Sequence, residues 1–291
     1  MTATPRDIEV ASRNFAVDQL GATPMMFQLP PFARDSRANT LKVYEFGGEV
    51  GDVPTWIDLC GPEEAVRQIV MSFPRSVRQV ELPSSRRQDW THRLQFISPM
   101  PPGFMGLIRF LQSWLTLTQT PYVDFAIAGE WYKIPEDGVD PYQWRNTAAG
   151  NMVNRGKYRG DPSAATELGG ALAELISRHP LYAAGSCVVS VPGHKGDGNS
   201  FGEQVAAVVA GFRQIPLIRT GSTLGARTSA KQSGSSYLMG TMVMPSRIKG
   251  TAIIVDDVYQ SGGSIRATAY AARHAGAQMV LAFVGARAMR N

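Results

Sequence analysis

Ala252, Ile253, Ile254 and Val255 form a short unbroken apolar run, the pattern of a strand buried on both faces of a parallel sheet. Asp256 and Asp257 follow where that strand should end, and a small polar turn runs from Gln260 to Ser264. The alanine-rich stretch beyond predicts a helix with Ser264 as its N-cap and Gly276 as its left-handed C-terminal stop. Upstream, Cys187–Val191 and Pro216–Ile218 read as strands, and Met279–Val284 reads as a last buried strand. Asp161-Pro162 opens a helix to about Arg178, with Ala164, Leu168, Ala171, Leu172 and Leu175 on its apolar face. Ser200-Phe201-Gly202-Glu203 is a capping box for a helix carrying Val205, Val208, Val209 and Phe212.

The N-terminal half patterns differently. Residues up to about Asn39 show no period. Leu41–Phe46, Val77–Leu82 and His92–Ile97 alternate enough to predict strands. Pro62-Glu63-Glu64 begins a helix with Val66, Ile69, Val70 and Phe73 on one face. A second helix, behind Pro101-Pro102, carries Leu107, Ile108, Leu111 and Leu115. Tyr122–Ala128 reads as a buried strand of this half, and Pro135–Trp144 as the boundary after it. The expectation is an α+β or α/β module over residues 1–140 and a second domain over residues 150–291.

Composition narrows the classes. Two distant cysteines, Cys60 and Cys187, and four scattered histidines imply neither a disulfide framework nor a metal cluster. The N-terminus lacks the apolar core of a secretory signal, and Phe104–Leu117 is too short to span a bilayer, so a cytoplasmic, non-membrane protein is expected. The net charge of +5 divides unevenly: residues 1–150 carry −3 and residues 151–291 carry +8. A basic C-terminal half suits a polyanionic ligand, and equally a solvated surface. Arg75, Arg78, Arg86, Arg87 and Arg93 form a local basic segment, either a phosphate or nucleic-acid contact or, more plainly, exposed strand and turn charge.

The candidate chemistry lies at the acidic pair. Ligands of open α/β sheets bind beyond the carboxyl ends of the strands. A turn without bulky side chains lets a phosphate reach backbone N–H groups, and a helix N-terminus adds a favourable dipole. Carboxylates beside such a cradle suit sugar hydroxyls or a cation, so the stretch reads as a phosphorylated-sugar site. Val255-Asp256-Asp257-Val258-Tyr259-Gln260-Ser261-Gly262-Gly263-Ser264 resembles the phosphoribosyl-pyrophosphate (PRPP) motif of type I phosphoribosyltransferases, with Gln260, Ser261 and Ser264 where that motif has threonines. Lys157, Tyr158, Gly160 and Asp161 resemble the K-Y-x-G-D stretch of ComF-type members, and Val191-Pro192 their V-P pair.

The resemblance covers about Arg155 to Arg287 and implies an α/β fold, a parallel-sheet type I phosphoribosyltransferase core beside a separate N-terminal module. It implies phosphoribosyl transfer from Mg-PRPP to an unidentified acceptor, with pyrophosphate released. Asp256 and Asp257 would hold the ribose hydroxyls, and Gln260, Ser261, Gly262, Gly263 and Ser264 would grip the 5-phosphate. Gly193, His194 and Lys195 would bind pyrophosphate. Arg227 and Lys231, in the unpatterned loop Thr220–Ser236, would be the catalytic cations of a closing lid. Mg²⁺ would be carried by PRPP, with no direct protein ligand. Two alternatives stand beside transfer: a non-catalytic sensor of PRPP or nucleotide, and a ComF-like partner in DNA handling. Nucleic acid is thus a candidate partner, and a homodimer a candidate assembly.

Overall fold

The structure, a computed structural model, describes residues 38–48, 53–118, 121–224 and 238–289. They divide into two compact units, residues 39–113 and residues 114–289 with Ala38. Arg227 and Lys231 lie outside the described residues.

After the short strand β1 (Ala38–Asn39), the first unit runs β2 (Val43–Gly47), β3 (Trp56–Cys60), α1 (Glu63–Ser72), β4 (Val77–Val80), β5 (His92–Phe96) and α2 (Phe104–Ser113). Its strands form an antiparallel sheet in the order β2-β3-β5-β4. Strand alternation sends Ile57, Leu59 and Leu94 into a core with Ile69, Leu107 and Ile108. Asp58, of opposite parity, is buried too, and two arginines hold it: Arg93 bidentately at 2.6 and 2.8 Å, and Arg86 at 3.0 Å. The Arg93 guanidinium lies 3.9 Å from the Trp56 ring centroid. Arg78 donates to Gln95 and Arg87 pairs with Glu81. Four of the five arginines of that basic segment are therefore engaged within their own unit.

The second unit runs β6 (Leu115–Leu117), β7 (Phe125–Trp131), α3 (Ala148–Arg159), α4 (Ser163–Arg178), α5 (Pro180–Ala183), β8 (Cys187–Ser190), α6 (Phe201–Arg213), β9 (Leu217–Arg219), β10 (Gly221–Ser222), β11 (Met242–Val243), β12 (Thr251–Tyr259), α7 (Gly263–His274) and β13 (Met279–Arg287). The sheet order is β1-β6-β7-β13-β12-β8-β9, in which β7, β13, β12, β8 and β9 are parallel and β6 antiparallel. From β8 the chain steps outward to β9; it then returns to the other side of β8 as β12. The two connections diverge between β8 and β12, the switch point at which open α/β sheets form their ligand crevice.

Four sequence expectations are corrected here. The strand near Tyr122–Ala128 is β7, paired with β13 inside the parallel sheet, and the units part between Ser113 and Trp114 rather than near Pro135–Trp144. The acidic pair lies within β12, which continues to Tyr259. Helix α7 begins at Gly263 with Gly262 as its left-handed N-cap (φ 75°), so Ser264 sits inside the first turn. Helix α3 was not foreseen from its apolar pattern, yet it is bounded by ordinary signals: Thr147 accepts from the Gly150 N–H, and Gly160 (φ 64°) ends it. Among the described residues no helix is long and apolar enough to cross a membrane.

Candidate sugar-phosphate site

The C-terminal ends of β8 and β12 carry the two segments singled out in the sequence, residues 191–199 and 260–262. Val255 pairs with Ser190, the last residue of β8, so Asp256 and Asp257 stand just beyond the edge of that strand. Asp257 is 3% exposed. The Lys157 ammonium on α3 lies 2.9 Å from its Oδ1 and 2.7 Å from its Oδ2. The Oδ1 contact is a hydrogen bond and the Oδ2 contact a close ion pair, so the ammonium spans the buried carboxylate. Burial draws the Lys157 pKa down, but the carboxylates of Asp257 and Asp256 outweigh it and the net shift is upward. Asp256 turns back to accept from the Asp257 N–H at 2.9 Å. Burial first, and then the Asp257 charge, push its carboxyl well above the usual carboxylate range.

Asp256 reaches the N-terminus of α6. A Cβ on Gly202 would stand 2.5 Å from Asp256 Oδ1, so glycine is the residue that admits the carboxylate there. The capping box predicted at this helix is present. Glu203 Oε2 accepts from the Ser200 N–H at 2.9 Å and from its hydroxyl at 2.6 Å. It also accepts from the Gly193 N–H at 3.3 Å, tying the β8–α6 loop to the helix. His194 and Lys195 project from that loop as exposed residues. Arg219, at the end of β9, donates to the Gly198 carbonyl on the same loop.

The cradle is the turn from Gln260 into α7. The Arg266 N–H closes the first helical bond on the Gly262 carbonyl, so the N–H groups of Ser264 and Ile265 point out of the helix end, while the Gly263 N–H donates to the Ser261 hydroxyl at 3.5 Å. Ser261 and Ser264 add hydroxyls. A side chain at Gly262 would meet the buried Tyr259 ring as well as an unfavourable φ. Beneath the turn Arg287 is 0% exposed, and its Nη1 donates to the carbonyls of Tyr259 (3.0 Å), Gln260 (2.6 Å) and Ala288 (2.6 Å). The guanidinium also faces the Tyr259 ring at 5.1 Å. The carbonyls of the cradle are thus drawn inward onto a fixed cation.

Sequence reasoning brought Asp256, Asp257, the cradle and the β8–α6 loop to one sheet edge. It missed Lys157 and Arg287 as site residues. Lys157 stood in the K-Y-x-G-D stretch, whose other members prove structural: Gly160 stops α3, and Asp161 binds Arg155 at 2.7 Å and accepts from the Ser163 N–H at 2.9 Å. Among the described residues no group of three or more His, Cys, Asp or Glu gathers as a metal site.

No protein-family profile matches the chain. Over 141 residues it is 34% identical to an adenine phosphoribosyltransferase of Streptomyces avermitilis, a match that covers 44% of this chain and 71% of that enzyme. Among solved structures it is similar to the adenine phosphoribosyltransferase of Leishmania tarentolae, with 11% identity, a TM-score of 0.37, and coverage of 60% of this chain and 94% of that one. It is also similar to a purine phosphoribosyltransferase of Pyrococcus horikoshii, with 16% identity, a TM-score of 0.28, and coverage of 42% of this chain and 82% of that one. With the motif of β12 and α7 at the switch point of a mostly parallel sheet, and 34% of the 141 aligned residues identical to an enzyme covered over 71% of its length, the chain belongs to the type I phosphoribosyltransferase family.

Proposed function

We propose that the site binds PRPP and transfers its 5-phosphoribosyl group to an acceptor, releasing pyrophosphate. The observation that carries this is the meeting of a phosphate cradle and an acidic pair at one switch point. In this reading Ser261, Ser264 and the first-turn N–H groups of α7 hold the 5-phosphate. Asp256 and Asp257 take the ribose hydroxyls and favour the positive charge that grows on the sugar as the C1–oxygen bond to pyrophosphate breaks. The acceptor's lone pair then forms the new bond to C1. Gly193, His194 and Lys195 face the leaving pyrophosphate, and Arg227 and Lys231 complete its neutralisation. The acidic pair, with an ammonium at 2.7 Å, is not a metal cage; this fits Mg²⁺ held by the pyrophosphate oxygens rather than by side chains. The names of the relatives make adenine and other purines the first acceptors to try.

The test pairs binding with turnover. PRPP with Mg²⁺ at a hundredfold excess over its Kd stabilises the folded protein by about 2.7 kcal/mol. Ribose 5-phosphate, which lacks the pyrophosphate contacts, stabilises it less. A purine panel releases pyrophosphate with at least one member, and Asp256→Asn/Asp257→Asn abolishes the release. No thermal shift with PRPP in the wild type would sink the reading. A thermal shift with PRPP, but no pyrophosphate release with any acceptor, selects a PRPP sensor without turnover.

A further inference from the structure

We propose that Lys157 is a positioning residue of this site, the resident counter-ion that fixes Asp257 and offsets the charge of the acidic pair where an anionic sugar phosphate binds. The proposal rests on the sugar-phosphate reading above. The packing of α3 supports it. Interior glycines weaken a helix by about 1 kcal/mol each relative to alanine, and α3 carries two. A Cβ at Gly150 would collide with the Tyr132 carbonyl, and one at Gly156 with the Phe201 ring. Both glycines therefore let α3 lie closer to β7 and α6 than any other residue would allow. Lys157 follows Gly156 directly, and that close approach sets its ammonium against Asp257.

The surroundings leave this role to Lys157. On β12 the other ionisable neighbour is Asp256, itself a carboxyl. Tyr132, beyond β7, faces the cluster as a phenol, and burial raises its pKa. On α6 the Glu203 carboxylate is turned to Ser200 and Gly193. Lys157 is thus the cation that the described residues bring to the pair. It contacts both oxygens of Asp257 and so fixes the orientation of the carboxylate.

The test uses the full chain as wild type, Lys157→Met and Lys157→Arg. The carboxyl carbons of Asp256 and Asp257 are followed by ¹³C NMR against pH without ligand, assigned with the single Asn variants. An opposite charge this close shifts a carboxyl by about 1–3 pH units. Lys157→Met should move the titration of the pair up by about that much, and Lys157→Arg should leave it near wild type. Binding of ribose 5-phosphate, read by thermal shift from pH 6 to 9, should weaken by about tenfold or more in Lys157→Met, a loss of about 1.4 kcal/mol, and recover in Lys157→Arg. An unmoved titration in Lys157→Met overturns the counter-ion role. A moved titration with unchanged ribose 5-phosphate binding overturns the positioning role. If the wild type binds neither ribose 5-phosphate nor PRPP, the sugar-phosphate reading has failed and the positioning role fails with it, while the ligand-free titration still decides whether Lys157 is the counter-ion.

Discussion

Replacing Gly202 with alanine should reverse sign according to what stands at position 256. Gly202 is in the first turn of α6 with an ordinary backbone, so by propensity alone alanine would stabilise the helix by about 0.5–1 kcal/mol. The new Cβ, however, would stand 2.5 Å from Asp256 Oδ1, against 3.6 Å from the next nearest atom, the Asp257 nitrogen. Forcing an extra methyl into a packed site costs about 1–3 kcal/mol. In the wild type Gly202→Ala should therefore be neutral to destabilising by about 2 kcal/mol. In an Asp256→Ala background the obstacle is gone, and the same change should stabilise by about 0.5–1 kcal/mol. The coupling in the double-mutant cycle is the overpacking cost itself, about 1–3 kcal/mol. Urea midpoints with a common m-value measure it. Two compact units can unfold in two transitions, so the variants are compared on the transition that Asp256→Ala moves. Gly202→Ala stabilising both backgrounds equally would refute the claim that the Asp256 carboxylate lies on the α6 N-terminus.

Three further outcomes follow from buried groups. Burial lowers His179 to about pH 3, whereas an unfolded histidine titrates near 6.5; the unfolded state takes up the proton first, so this group removes stability as pH falls from about 6.5 towards 3, by about 1.4 kcal/mol per unit at most, and His179→Gln should flatten that limb of a pH series of urea midpoints. Asp58→Asn leaves Arg93 without its carboxylate and Arg86 with Glu45 alone, and should destabilise the first unit by about 3 kcal/mol in thermal unfolding, with no effect on PRPP binding. Arg287→Met strips the cradle carbonyls of their donor and should reduce stability by about 3 kcal/mol, while weakening ribose 5-phosphate binding as read by thermal shift.

Much of the site was legible because its signals are local. An apolar run, two aspartates and a glycine turn mark a strand, an acidic pair and a turn into a helix within a dozen residues, and the Ser200–Glu203 box needs only four. What was misread depended on partners. Residues near 122–128 were recognised as a buried strand, yet nothing in Val123, Phe125 or Ile127 says that β13, more than 150 residues on, is the neighbour. The β12 end was placed too early because aspartates read as strand terminators; here ladder pairing with Val284, Ala286 and Arg287 carries the strand past them. Helix α3 escaped because its apolar face is thin, Ala149 and Val153 being its buried nonpolar side chains beside Gly150. Lys157 and Asp257 are 100 residues apart, and no spacing rule joins them.

The glycines make the same point in physical terms. At Gly150, Gly156, Gly202 and Gly262 the absent Cβ is space already taken by a carbonyl, a ring, a carboxylate and a tyrosine. The three inside helices weaken their own elements, and each of the four allows an approach that sets a functional atom: two bring Lys157 to Asp257, one seats Asp256, one opens the cradle. Arg287 completes the arrangement from behind. A buried guanidinium needs its N–H groups satisfied, and it obtains three acceptors by drawing the carbonyls of Tyr259, Gln260 and Ala288 inward. A peptide whose carbonyl is pulled to one side turns its N–H to the other. The same bonds that make the arginine tolerable inside the sheet therefore fix the shape of the phosphate cradle before any phosphate arrives, so the ligand does not pay to order it.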